Sequence, residues 1–146
     1  MSQRIFRDEI LTLIPHAGSM CFWDAVEHWD ADNIRCSTIS HRDALHPLRC
    51  KNQLSAIHLA EYGAQAIAIH GGLLARGAGS EKVAAGMLVS LRDYRMQVSH
   101  IDDVAGELIV NARKLVASTT GSIYEFVIRH SNTELARGRV SVMGSG

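Results

Sequence analysis

The stretch Leu54-Ser55-Ala56-Ile57-His58-Leu59-Ala60-Glu61-Tyr62-Gly63-Ala64-Gln65-Ala66-Ile67-Ala68-Ile69-His70 decides the fold. It is rich in Ala and Leu and free of proline, and the same character continues to Ala75. That composition favours helix. At 1.5 Å per residue, a helix over residues 54–75 spans roughly 33 Å. Asn52 or Ser55 is placed to cap its start, and Gly77 or Gly79 to end it. Apolar residues lie on every side of it, and a helix of that kind is expected to be buried on every side.

Outward from this helix the pattern changes to period two. Strands are expected over Met87–Val98, Glu107–Ala117, Ser122–His130 and Glu134–Met143. Turn signals separate them: Asp102-Asp103 with Gly106, Thr120-Gly121, and Ser131-Asn132-Thr133. Short connections between consecutive strands predict an antiparallel meander. An eleven-residue strand covers roughly 36 Å, which matches the helix. Upstream, Ala25–Trp29 and Ile34–Ser40 read as two short strands around the turn Asp30-Ala31-Asp32-Asn33. Residues 3–14 read as a short helix stopped by Pro15. The pattern predicts one α+β domain over residues 1–146, a long central helix wrapped by a curled antiparallel sheet. One sheet cannot enclose such a helix alone, so a second copy, extending the sheet or packing against the helix face, is expected to complete the burial.

The chain has 146 residues, enough for one ordinary domain. Lys plus Arg and Asp plus Glu are 15 each, so the net charge is zero. That balance lacks the footprint of a nucleic-acid binder, and the 47% apolar content excludes a disordered chain. A neutral surface is also compatible with association. Cys21, Cys36 and Cys50 are odd in number and widely spaced, so neither a disulfide framework nor a structural zinc site is expected. Charges interrupt the N-terminus before any signal-peptide core forms, and no apolar run reaches membrane-spanning length. A cytoplasmic protein without cofactor or metal is the expectation.

Polar groups on an apolar helix are the informative exceptions. At 100° per residue, His58, Glu61 and Gln65 fall on one seam, while His70 points elsewhere. A carboxylate buried in such a helix needs a partner or a proton. Imidazole, carboxyl and carboxamide together suit proton transfer, and they equally suit a hydrogen-bonded cluster that fixes the helix against its neighbour. His46, in Leu45-His46-Pro47-Leu48, lies in the loop before the helix and is a candidate general base. His16, in Ile14-Pro15-His16-Ala17-Gly18, lies in another loop and is expected to brace a turn. His28, His41, His100 and His130 are expected at the surface. His58 and Glu61 alone make a poor metal site. The glycines Gly71-Gly72 and Gly77-x-Gly79 follow no strand, so no dinucleotide loop is indicated.

Two motifs resemble the β-hydroxyacyl-acyl carrier protein dehydratases of the hot-dog fold. Leu13-Ile14-Pro15-His16-Ala17-Gly18-Ser19-Met20-Cys21-Phe22-Trp23-Asp24 resembles that family's opening Leu-Pro-His motif with its apolar run and Asp. Leu59-Ala60-Glu61-Tyr62-Gly63-Ala64-Gln65-Ala66 resembles its helix motif, and the later strands resemble its meander. The sequence is most similar to the dehydratase-like proteins of bacterial aryl polyene gene clusters, where His58-Leu59-x-Glu61-Tyr62-x-Ala64-Gln65-Ala66 and His70-Gly71-Gly72-Leu73-Leu74 are characteristic. The resemblance implies elimination of water from a 3-hydroxyacyl thioester carried on acyl carrier protein or coenzyme A. It implies Glu61 as the acid and a histidine as the base. The family's histidine lies in a Gly-His-Phe-Pro loop; His46-Pro47 is the nearest counterpart and His58 the alternative. His16, Gln65 and Tyr62 are then expected at the substrate. A homodimer, a heterodimer with another hot-dog subunit in which this chain is the non-catalytic partner, and a hot-dog thioesterase are the further expectations.

Overall fold

The computed structural model describes residues 4–14, 20–79 and 87–143, with backbone alone for 87–89. The long helix α2 spans Leu59–Gly77, preceded by a 3-10 turn at Ala56–His58. The start falls later than the composition suggests because the backbone before it is held extended. Leu54 N–H donates to the Asp102 carboxylate at 2.9 Å, and Ala56 N–H donates to the Ser99 carbonyl at 2.8 Å. Ser55 then caps the 3-10 turn, its Oγ accepting from Ile57 N–H at 3.2 Å. Helix α2 buries Leu59, Tyr62, Ala66, Ile69 and Leu73 at three- and four-residue spacing. The opposite side, with Ile57 and Glu61, is exposed in the single chain, so burial all round is not achieved by one copy.

Strands β2 (Ala25–Trp29) and β3 (Asn33–Thr38) precede the helix, and β4 (Met87–Met96), β5 (Leu108–Ala117), β6 (Gly121–His130) and β7 (Thr133–Met143) follow it. Strand β1 is only Ile5–Phe6, and α1 only Arg7–Ile10. The helix expected over residues 3–14 is thus replaced by a strand and one helical turn. Ile5 and Phe6 find backbone partners on the edge of β2, opposite Val26 and Ala25, which local propensity does not reveal.

The sheet is antiparallel with order β1-β2-β3-β5-β6-β7-β4. The simple meander therefore holds for β5, β6 and β7 only. Strand β4 pairs with β7 at the far edge, while β5 pairs with β3, so the sheet closes over the helix from both sides. The core between them contains Trp23, Phe126, Ile128, Leu108 and Val110. Gly63 lets the helix approach the sheet closely: a Cβ there would lie 2.5 Å from the Phe126 ring. No described helix is long and apolar enough to cross a membrane.

Candidate active site

Three segments meet beside the first turns of α2: the run 20–24, the 3-10 turn Ser40–Arg42, and the loop containing His46. His46 is buried, and its ring is held at both nitrogens. Leu48 N–H donates to Nδ1 at 3.1 Å, which leaves the ring proton on Nε2. Nε2–H donates to the Tyr62 hydroxyl at 2.8 Å. Tyr62 donates in turn to Ser40 Oγ at 3.0 Å, and Ser40 donates to the Phe22 carbonyl at 2.7 Å. Every group in this relay has a direction, and none is left over.

The rings reinforce the chain. Phe22 stacks on Tyr62 at 4.7 Å and on His46 at 5.3 Å, while Trp23 meets Tyr62 edge-on at 5.5 Å. The Trp23 indole N–H donates to the Tyr62 carbonyl at 2.8 Å. Gln65 clamps the same run: Oε1 accepts from Phe22 N–H at 2.7 Å and Nε2 donates to the Met20 carbonyl at 2.8 Å. Asp24 accepts from Thr38 Oγ1 at 2.8 Å and from Ile39 N–H at 2.9 Å, which steers the chain into the Ser40 turn. Burial is the main cause holding His46 below the usual imidazole range, with the Arg49 charge adding to it. Burial also pushes the Tyr62 hydroxyl up to about 12. The relay is thus neutral at physiological pH.

The seam expected from helical arithmetic divides. Gln65 turns to the 20–22 backbone, whereas His58 and Glu61 remain on the open face. Their side chains are 27% and 54% exposed, with His58 Nδ1 3.9 Å from Glu61 Oε1. Glu61 lies in the first turn of α2, near the exposed Ile57. His16 lies outside the described residues. His70 sits apart in the core, where Tyr124 donates to its Nδ1 at 2.6 Å and its Nε2–H donates to the Asp30 carbonyl at 2.7 Å. His41, expected at the surface, is fully buried, because its ring reaches the Val104 carbonyl at 2.9 Å. Phe22, Trp23, Asp24 and Ser40 join the site without being site candidates in the sequence; Phe22-Trp23-Asp24 lie inside the opening motif, whereas Ser40 carries no sequence signal. Among the described residues, no three His, Cys, Asp or Glu side chains are grouped to hold a metal ion.

A long helix in a curled antiparallel sheet, with its polar residues gathered at the helix start, defines a hot-dog protein. The chain belongs to the ApeP-like family, the ApeP dehydratases, whose family model matches residues 8–145. Its fold is similar to the dehydratase heterocomplex ApeI:P from Xenorhabdus doucetiae, at 23% identity over 94% of this chain and 91% of that one, with a TM-score of 0.83. It is also similar to a hypothetical thioesterase with coenzyme A from Streptococcus pneumoniae, at 10% identity over 83% and 84% of the two chains and a TM-score of 0.59. A thioesterase from Haemophilus influenzae has 11% identity over 81% and 75%, with a TM-score of 0.59. No curated protein sequence matches the chain.

Proposed function

We propose that this dehydratase chain acts on a 3-hydroxyacyl thioester of acyl carrier protein in polyene-type biosynthesis, and that it works as one subunit of a hot-dog pair. The observation that carries this reading is the division of the polar residues. His46 is closed into a buried relay with its proton on Nε2, so its imidazole holds Tyr62 and has no free lone pair facing outward. Glu61 and His58 are instead presented together on the helix face that the chain leaves open. Strand β4 is the edge of the sheet, paired only with β7, and carries the exposed Leu91 and Met96. A second hot-dog subunit adding to that edge would cover Ile57, Glu61 and His58.

In the reaction, a base removes the α-proton, and the C–H pair becomes the carbon–carbon double bond. The β-hydroxyl leaves as water with a proton from the acid. Glu61 is the acid, since it is the carboxyl that this chain presents on the face a second subunit would cover. His58 is the base on this chain. Tyr62 and Gln65 position the loop against which the acyl chain lies.

The test is reconstitution with a candidate hot-dog partner, following the enoyl thioester by absorbance and mass. The mixed subunits should turn over and co-elute, and the isolated chain should turn over far more slowly. Free thiol released without enoyl product would instead mark a thioesterase. A second reading, a non-catalytic partner, draws on the closure of His46. It predicts that Glu61→Gln leaves the activity of the reconstituted pair unchanged.

A further inference from the structure

Strand β4 carries a half-buried tyrosine that a regular strand would have left outside. Arg92 is exposed and Tyr94 follows two positions on, so regular alternation would put both on one face. Instead the pairing with β7 shifts between Arg92 and Arg95, with Asp93 at φ 54°. Arg92 and Arg95 both stay exposed, opposite Arg139 and Arg137. Tyr94 turns inward against the core, its ring 6.3 Å from that of Phe126. Bulges of this kind re-aim a side chain.

The re-aimed hydroxyl of Tyr94 donates to the Ala56 carbonyl at 2.6 Å. Burial pushes that hydroxyl up to about 12, with the Ala60 N–H opposing the shift, so it stays protonated and donating at physiological pH. It lies between Ala56 C=O and Ala60 N–H, the two ends of what would be an α-helical bond. A side chain inserted into that ladder alters its winding. Here the chain runs as a 3-10 turn over Ala56–His58, and Leu59 N–H donates to the Ala56 carbonyl. The Ala56 N–H is held as well, by the Ser99 carbonyl just beyond β4. In a 3-10 turn residues three apart lie in line, whereas in an α-helix they stand about 60° apart. His58 ends the turn and Glu61 comes three residues later, and the tighter winding draws their side chains together, Nδ1 3.9 Å from Oε1.

We infer that Tyr94 is a positioning residue: its hydroxyl, acting through the Ala56 backbone, holds the 3-10 turn that sets His58 against Glu61. Its effect on dehydration rests on the acid and base roles proposed above, whereas its effect on the geometry of the pair does not. Strand β4 is also the edge of the sheet. The same hydroxyl therefore ties the edge at which a second subunit would pair to the two groups that subunit would cover. Ala56 C=O keeps Leu59 N–H when the hydroxyl is removed, so no buried acceptor is orphaned and the fold has little to lose.

The experiment compares the full chain with Tyr94→Phe and with 4-aminophenylalanine placed at position 94, whose amine restores a donor to the Ala56 carbonyl. In the isolated chain, NMR cross-peaks between the His58 ring and the Glu61 side chain report the pair directly. They should be lost in Tyr94→Phe, which should melt within a few degrees of the parent, and return with the amine. In the reconstituted pair of subunits, Tyr94→Phe should lower kcat about tenfold or more with KM little changed, and the amine should recover it. Cross-peaks that persist in Tyr94→Phe, or that the amine does not restore, would overturn the inference. So would a Tyr94→Phe chain that fails to fold, since the hydroxyl would then be merely structural. Cross-peaks lost at an unchanged kcat, or a parent pair that forms no enoyl product, would instead strike the acid and base roles and leave the positioning of the pair standing.

Discussion

Replacing Tyr62 by Phe tests the relay that builds the candidate site. The substitution removes one oxygen and keeps the ring. Stacking on Phe22 at 4.7 Å and the edge contact with Trp23 at 5.5 Å are retained. Ser40 keeps its bond to the Phe22 carbonyl. His46 Nε2–H is the group that loses its acceptor, and it is buried. An orphaned buried donor costs about 1–3 kcal/mol. For a chain of this size that is a fall in melting temperature of about 3–10 °C. Chemical denaturation should show a lower midpoint with an unchanged slope. His46→Leu removes the same bond from the other side. The double variant should therefore lose less than the sum of the two single losses, by about 1 kcal/mol or more. Strict additivity, or a Tyr62→Phe midpoint equal to the parent's, would refute the relay as drawn.

Two other outcomes follow from the buried groups. Burial, as the main cause, holds His46, His70 and His41 below the usual imidazole range. The unfolded chain then binds protons that the folded chain refuses, so stability is lost as pH falls below about 6.5 and is flat above it. Denaturation midpoints across that window check this, and a midpoint constant down to pH 5.5 would contradict it. Gly63→Ala forces the Phe126 ring to move, since the added carbon would lie 2.5 Å from it. The expected loss is about 1–3 kcal/mol, measured by urea titration, and a neutral outcome would mean that the helix does not rest on β6 as described.

The parts of the fold set by local pattern were legible in the sequence. Helix α2 announced itself by its Ala-rich run without proline, and β5, β6 and β7 by alternation with turns between them. The parts set by distant pairing were not. Nothing near Met87 signals that β4 closes the far edge instead of joining β5, and nothing near Ile5 signals a partner on β2. The bulge at Asp93 depends on how β4 meets β7, which alternation alone does not contain.

The site divides the same way. Helical arithmetic put His58, Glu61 and Gln65 on neighbouring directions. It did not show that the run 20–22 covers only Gln65, leaving the other two open. His46 was legible as a loop histidine but not as a buried one. Its partner Tyr62 lies a full element away, and Leu48 N–H, which decides its tautomer, is a backbone group. His41 was misplaced for a similar reason: its polar neighbours suggest solvent, while the segment around Val104 covers it.

The central claim is that this chain contributes Glu61 to a dehydration site completed by a second hot-dog subunit. The most direct measurement is the turnover of the reconstituted pair with Glu61→Gln in this chain alone, beside the elution volume of the complex. Glu61 is exposed in the single chain, so the substitution should leave its folding intact, while the elution volume reports assembly separately. The account predicts an intact complex with dehydration slowed about 10²–10⁴-fold, the usual contribution of a general acid. An intact complex that dehydrates at the parent rate would contradict it.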